Sequence, residues 1–264
     1  MKKILLTNDD GFDSPGLWAA AEALLELGEL VIAAPDRHFS HFGRGFLKSS
    51  SGRILKHEKR LKGKTISAYS VDGSPAQTVM HAMLEIVGEP PDLLVSGINY
   101  GENVSIDVTT SGTVGAAFEG ATFRIPSLAS SIQILQEEWD SYHEIDFSVA
   151  AYFTQQFASL MLSKKLPEDV DVLNLNVPID ATTQTPWRVT RLTSHRYYDP
   201  YVVREGGLGG EAYITAHRVV EDDFTPDTDI YALLKDKQVS ITPLSLDVTS
   251  RVKLGNFEQF LRKN

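Results

Sequence analysis

The 264-residue chain contains no cysteine. That excludes a thiolate nucleophile, a disulfide framework and a thiolate-held zinc. No stretch reaches the roughly 18 consecutive apolar residues of a membrane-spanning helix. Between Met1-Lys2-Lys3 and Asn8-Asp9-Asp10 there are only a few apolar residues, too few for the hydrophobic region of a secretory signal. The expectation is a cytoplasmic protein with no membrane partner. Basic excess is missing too. With 35 acidic and 25 basic residues the net charge is −10, which argues against binding a nucleic-acid duplex or an anionic membrane. The seven histidines show no HxxxH pair, and His38 and His41 read as exposed loop residues. No GxGxxG follows the first strand, so a dinucleotide site of that type is excluded.

What is present is a globular composition, 42% hydrophobic and long enough to bury a full core. The first half alternates strand and helix signals. Ile4-Leu5-Leu6-Thr7 reads as a buried strand. Ser14-Pro15 then opens a helix with Leu17, Ala20, Ala21, Leu24 and Leu27 on one face, ended by Gly28. Leu30-Val31-Ile32-Ala33-Ala34 is a second buried strand. Residues 36–64 read as a long polar loop, and such a loop in a compact domain is usually functional. A third strand at Ile66–Val71, a helix after Ser74-Pro75, a strand at Leu93-Leu94-Val95 and a helix after Ser111-Gly112-Thr113 follow. A strand at Leu128, a helix over 145–163 and a strand at Val172–Val177 complete the series. The alternation predicts an α/β fold with a doubly wound, Rossmann-like, mostly parallel sheet over residues 1–180. Beyond it, residues 181–264 read as a β-rich extension without strong helices, with Gly206-Gly207-Leu208-Gly209-Gly210 as a hairpin tip. Open strand edges and aromatics such as Tyr197, Tyr198 and Tyr201 make it a candidate oligomerisation arm.

In such sheets ligands bind outside the carboxyl ends of the strands. Asp9 and Asp10 follow the first strand, Ser40 lies in the loop after the second, and Asn99 follows the Leu93-Leu94-Val95 strand. Adjacent carboxylates repel unless a cation or proton intervenes, although a solvated turn also favours Asn and Asp. All four residues are oxygen donors, which suits Mg²⁺, Mn²⁺ or Ca²⁺. Small residues at Ser111-Gly112-Thr113 let backbone N–H groups approach an anion at a helix start, though a simple Ser cap reads equally well. A cation beside an anion cradle is the logic of phosphoryl chemistry.

Several motifs in order resemble SurE, the survival protein E family. They are Thr7-Asn8-Asp9-Asp10-Gly11, Ala34-Pro35-Asp36-Arg37 with Ser40, Asp72-Gly73-Ser74-Pro75-Ala76, Ser96-Gly97-Ile98-Asn99 with Asn103, Ser111 to Ala117, Asn174 to Pro178 and Val239 to Leu244. The resemblance implies a divalent-metal-dependent 5′-nucleotidase that hydrolyses nucleoside 5′-monophosphates, with wider phosphomonoester or polyphosphate activity as an extension. It implies one Mg or Mn per subunit on Asp9, Asp10, Ser40 and Asn99, and phosphate on Asn103, Ser111, Gly112 and Thr113. Asp9 and Asp10 become the catalytic residues, and the assembly a homodimer or a tetramer of dimers. The chain departs from the pattern twice: His41 stands where the family usually has Gly, and Gln77-Thr78 where it has Asp-Cys. The first bears on the flap and substrate choice; the second reads as a packing change. A response-regulator receiver needs an Asp at the end of its central strand, and Ser96-Gly97 stands there instead. A haloacid-dehalogenase-type site needs Asp-x-Asp, which Asp9-Asp10-Gly11-Phe12 does not supply.

Overall fold

The computed structural model describes residues 1–135, 145–219 and 224–262. Its first strand, β1 (Lys3–Thr7), is buried from Ile4 onward. The chain then turns into α1 (Pro15–Leu24), where Pro15 takes the first helical position and Leu17, Ala20, Ala21 and Leu24 form the buried stripe. Next come β2 (Glu29–Pro35), β3 (Ile54–Leu61), β4 (Lys64–Val71), α2 (Pro75–His81) and β5 (Leu93–Tyr100). After a short 3₁₀ turn, Ser105–Thr109, follow α3 (Gly112–Thr122), β6 (Ser127–Ile132), α4 (Ser148–Ser163) and β7 (Val172–Val177).

Among the described residues these strands join β8 (Trp187–Val189) and β11 (Val239–Leu244) in a nine-stranded sheet of order β3-β4-β2-β1-β5-β6-β7-β11-β8. From β4 to β7 every neighbouring pair is parallel. One face is covered by α1 and α4 through Leu17, Leu24, Phe153 and Phe157. The other is covered by α2 and α3 through Val79, Val114 and Ala117. Leu5 and Leu94 are fully buried on that second face. A buried leucine contributes roughly 1.5–3 kcal/mol, so both helix layers hold the sheet firmly. β1 pairs with β2 on one side and β5 on the other. The loops after β1 and β5 therefore diverge, opening the switch-point crevice where a ligand binds.

Two expectations need correction. Residues 36–64 are not all loop, because β3 pairs antiparallel with β4 from Ile54 to Leu61. β3 is an edge strand, and its Lys56, Glu58, Lys59 and Arg60 are the charges such edges carry, which hid the strand signal. Nor is the region after 180 free of helices: α5 (Asp229–Leu234) and α6 (Leu254–Arg262) lie in it. It also holds β8 (Trp187–Val189) and β11 (Val239–Leu244), both members of the main sheet, with β11 antiparallel to β7. Among the described residues, β9 (Tyr198–Arg204) and β10 (Ala212–Arg218) form a separate two-stranded hairpin, turned by the Gly206–Gly210 tip.

The departure at Gln77 has a local account. Ser74 and Gln77 form a capping box at the start of α2, and the Gln77 amide also accepts from Leu47 N at 2.9 Å and donates to Leu47 O at 3.3 Å. One side chain thus caps a helix and pins the loop that carries Ser40. Gln77→Ala is expected to cost about 1 kcal/mol or somewhat more. For a chain of this size that lowers the melting temperature by roughly 2–4 °C. An unchanged melt would show that the box and the Leu47 clamp carry no net stability.

Candidate active site

The turn after β1 is set by two residues. Asn8 donates from Nδ2 to Gly11 O at 2.9 Å, and Gly11 takes a φ of +99°, where a side chain is strained. This places Asp9 and Asp10 at the mouth of the crevice. Asp9 is 5% exposed and the Asp10 side chain 2%. Asp10 accepts from Tyr100 N at 3.0 Å and lies 3.4 Å from His38 Nε2, which is itself 3.0 Å from Ser40 Oγ. Asn99 spends its amide nitrogen on Gly101 O at 2.7 Å, which leaves its carbonyl oxygen as the atom that could ligate a cation. Asp9, Asp10, Ser40 and Asn99 all line one cavity of about 580 Å³. His38 is an exposed loop residue, yet it stands between Asp10 and Ser40, a position the sequence alone does not show. His41 has a φ of +53°, a left-handed conformation that explains a preference for glycine there.

The start of α3 closes the site from the opposite side. Ser111 is the N-cap, its Oγ accepting from Val114 N at 3.1 Å. Thr113 Oγ1 donates to Asp9 Oδ1 at 2.7 Å and accepts from Asn103 Nδ2 at 3.2 Å. Gly112 packs so tightly that a Cβ there would lie 2.7 Å from Asp9 Oδ2. Asn103, Ser111 and Gly112 line the same cavity, while Thr113 is fully buried behind Asp9. The Thr113 hydroxyl is thus committed to the carboxylate. Its backbone N–H also bonds that carboxylate, so Thr113, expected to bind phosphate, holds Asp9 instead.

Burial, and then the charge of Asp10, push the Asp9 carboxyl up to about 8, against the lowering effect of the Thr113 hydroxyl. Two buried carboxyls coupled in this way need a compensating proton or cation. Among the described residues no group of three or more His, Cys, Asp or Glu could hold a metal; the oxygens that could do so here are the Asp9 and Asp10 carboxyls with the neutral oxygens of Ser40 and Asn99. That set fits a hard cation that keeps several waters.

Three residues that brace Asn103 were given no site role from the sequence, although Asn174 and Asn176 lie in one of the family-like motifs. Asn174 and Asn176 donate to Asn103 O at 2.8 and 2.9 Å, Asn176 Oδ1 accepts from Asn103 N, and Ser131 Oγ accepts from Asn103 Nδ2. The signal was available: two asparagines alternate in the otherwise apolar, wholly buried β7. Buried Glu102 pairs with Arg218 of β10 at 2.6 Å and accepts from Tyr197 OH at 2.8 Å, tying the hairpin to the loop that carries Asn103. Burial pushes the Glu102 carboxyl up, with Arg218 opposing it.

Fold and site together define a class: a doubly wound α/β protein whose crevice sets an acid pair against a helix N-terminus. The family model described as Survival protein SurE matches residues 4–199. The chain belongs to the SurE family. A protein named 5′-nucleotidase SurE from Thermococcus gammatolerans is 41% identical, over 98% of this chain and 96% of its own. One of the same name from Archaeoglobus fulgidus is 42% identical, over 97% and 96%. The crystal structure of SurE from Aquifex aeolicus superposes with a TM-score of 0.76 at 32% identity, covering 99% of this chain and all of that one.

Proposed function

We propose that this protein is a cytoplasmic, divalent-metal-dependent 5′-nucleotidase that hydrolyses nucleoside 5′-monophosphates to nucleoside and phosphate. The observation that carries the reading is the meeting of Asp9 and Asp10 with the α3 N-terminus in one cavity. The cavity is of ligand size, and the chain belongs to a family whose relatives bear the name 5′-nucleotidase. Asp9, Asp10, Ser40 and Asn99 would hold Mg or Mn. Such a cation supplies Lewis-acid polarisation of a phosphoryl oxygen and a more acidic water. The chain's own part is positional and electrostatic. Ser111 and Gly112 at the α3 N-terminus orient the phosphate and meet the charge that grows on it, while Asn103 and Thr113, whose donors are spent on Ser131, Thr113, Asn176 and Asp9, hold that cradle in place. One of the two aspartates takes the proton of the attacking water as the new P–O bond forms. The bond from phosphorus to the ribose O5′ breaks, and the proton taken from the water passes to the departing oxygen, which leaves as a hydroxyl. Thr113 holds Asp9, and Asn103 holds Thr113, so Asp9 and the anion cradle keep a fixed separation.

A phosphate-release panel tests this reading: nucleoside 5′-monophosphates, short polyphosphate and a generic phosphomonoester, each with Mg²⁺, Mn²⁺ or chelator. Metal-dependent release from the nucleotides is expected. Release that survives chelation, or none from any nucleotide, overturns it.

Residues 181–264 further support a homodimer or a tetramer of dimers, although residues 220–223 and 263–264 lie outside the described part. α6 buries no residue at all, and Leu254, Phe257, Phe260 and Leu261 are exposed on it. An unpartnered apolar helix of this kind favours association. Light scattering after size exclusion should give a multiple of 29.2 kDa. A stable monomer at micromolar concentration would show that the extension is no oligomerisation arm.

A further inference from the structure

The cavity has two chemically different ends. Asp9, Asp10 and the α3 N-terminus occupy one, and the β9–β10 hairpin walls the other. Registry fixes which hairpin side chains share a face. Arg218 pairs with Tyr198, Ala216 with Pro200 and Ile214 with Val202, so these six alternate positions lie together. Tyr198, Pro200, Ile214 and Ala216 of that set line the cavity, opposite buried Ile134. Those four present a mostly apolar surface, with Arg196 and Thr215 also on the cavity lining, and Ile214 is 75% exposed although it borders a cavity.

The wall is also held rigidly. Arg218 joins Glu102 at 2.6 Å and donates to Ile134 O at 2.5 Å, while Tyr198 OH donates to Glu102 O at 3.3 Å. Glu102 and Asn103 are consecutive, so the anchor that fixes the hairpin adjoins the residue that orders the anion cradle. A molecule spanning both ends needs a phosphate at one and a flat, weakly polar group at the other.

We propose that this inner hairpin face is the nucleoside wall, on which the base packs against Tyr198, Pro200 and Ile214. The proposal rests on the nucleotidase reading of the cation end. It makes these residues determinants of substrate choice, and it has the wall grade bases by contact area rather than select one by hydrogen bonds.

Ile214→Ala and Pro200→Ala test it, since neither side chain takes part in the Glu102 anchor. Adenosine monophosphate and ribose 5-phosphate, which lacks the base, are compared as substrates with metal present. Each substitution should raise KM for the nucleotide severalfold, up to about tenfold on the scale of base stacking on protein side chains. Turnover number should stay near wild type, and ribose 5-phosphate kinetics should not change. Equal effects on both substrates, or on neither, overturn the wall. So does a loss of assembly with unchanged KM, which would assign the face to subunit contact. Binding of adenosine alone, followed by calorimetry, separates this proposal from the nucleotidase reading. Should the wild type hydrolyse neither substrate, the nucleotidase reading falls. Adenosine binding that weakens in Ile214→Ala would still support the wall, and wild-type protein that binds no adenosine would reject it.

Discussion

Asp10→Asn is expected to lower phosphate release on the order of 10³-fold or more, the scale for losing one member of a group that acts as a unit. The same change should make the metal-free protein more stable. Asparagine keeps an oxygen for Tyr100 N, which now bonds Asp10 at 3.0 Å, and it removes the charge that raises Asp9. Asp9→Asn should lose activity to a similar extent. The pH dependence follows from the direction of the shift. A carboxyl pushed from 3.8 up to about 8 favours the folded state most below about 3.8. That contribution shrinks as pH rises toward 8. Asp229, pushed up to about 6 by burial, acts with the same sign over the lower part of the window. In chelator, the wild-type melting temperature should therefore fall between pH 5 and pH 8, and Mg²⁺ or Mn²⁺ should restore most at the alkaline end. A ligand present at 100 times its Kd adds about 2.7 kcal/mol. Thermal melts of wild type and Asp10→Asn, with and without metal, check all of this. Chelator-resistant turnover in either variant, or stability that climbs across that range, contradicts the assignment of the pair.

The second large effect is expected at the start of α3. Thr113→Val preserves shape but removes the hydroxyl that donates to Asp9 at 2.7 Å and accepts from Asn103 at 3.2 Å. The buried Asp9 carboxyl then loses one of its donors, and the Asn103 amide keeps Ser131 as its remaining acceptor, at a cost of about 1–3 kcal/mol in stability. Turnover should fall about 10²–10³-fold, because base and anion cradle lose their common brace. Ser111→Ala removes the cap of the same turn, and a loss of the same order is expected. Steady-state kinetics with inhibition by inorganic phosphate distinguish the roles. If both variants keep wild-type turnover and wild-type phosphate inhibition, the phosphate binds elsewhere.

Much of this was legible in the chain because local and global signals agree. β1, β2, β5, β6 and β7 are short buried runs, and α1, α2 and α3 start at Ser14, Ser74 and Ser111. Asp9, Asp10, Ser40 and Asn99 were readable as strand-end oxygen donors, since an open α/β sheet brings such ends together. What could not be read was pairing at long range. β3 carries an edge strand's charges and shows no apolar alternation. β8 and β11 look like members of an arm until their partners are known, and β11 proves to be β7's neighbour. Glu102 and Arg218 are distant in sequence, and nothing local to either marks the other. Asn103 looked like a simple phosphate donor. Its clamp by Asn174 and Asn176 depends on β7 lying two strands from β5.

The placement of β11 also bears on how the chain is made. β7, with the apolar sequence Val172-Leu173-Asn174-Leu175-Asn176-Val177, ends wholly covered, with β6 on one side and β11 on the other. β8 reaches the sheet only through β11, so it cannot close that side first. On the ribosome, β7 therefore emerges about sixty residues ahead of its outer partner, an interval of several seconds at about 5–20 residues per second. Throughout it, a hydrophobic strand presents unpaired N–H and C=O groups, the template on which two nascent chains join. Slowing translation between β7 and β11 should therefore increase aggregation, whereas the same pause placed after β11 should not.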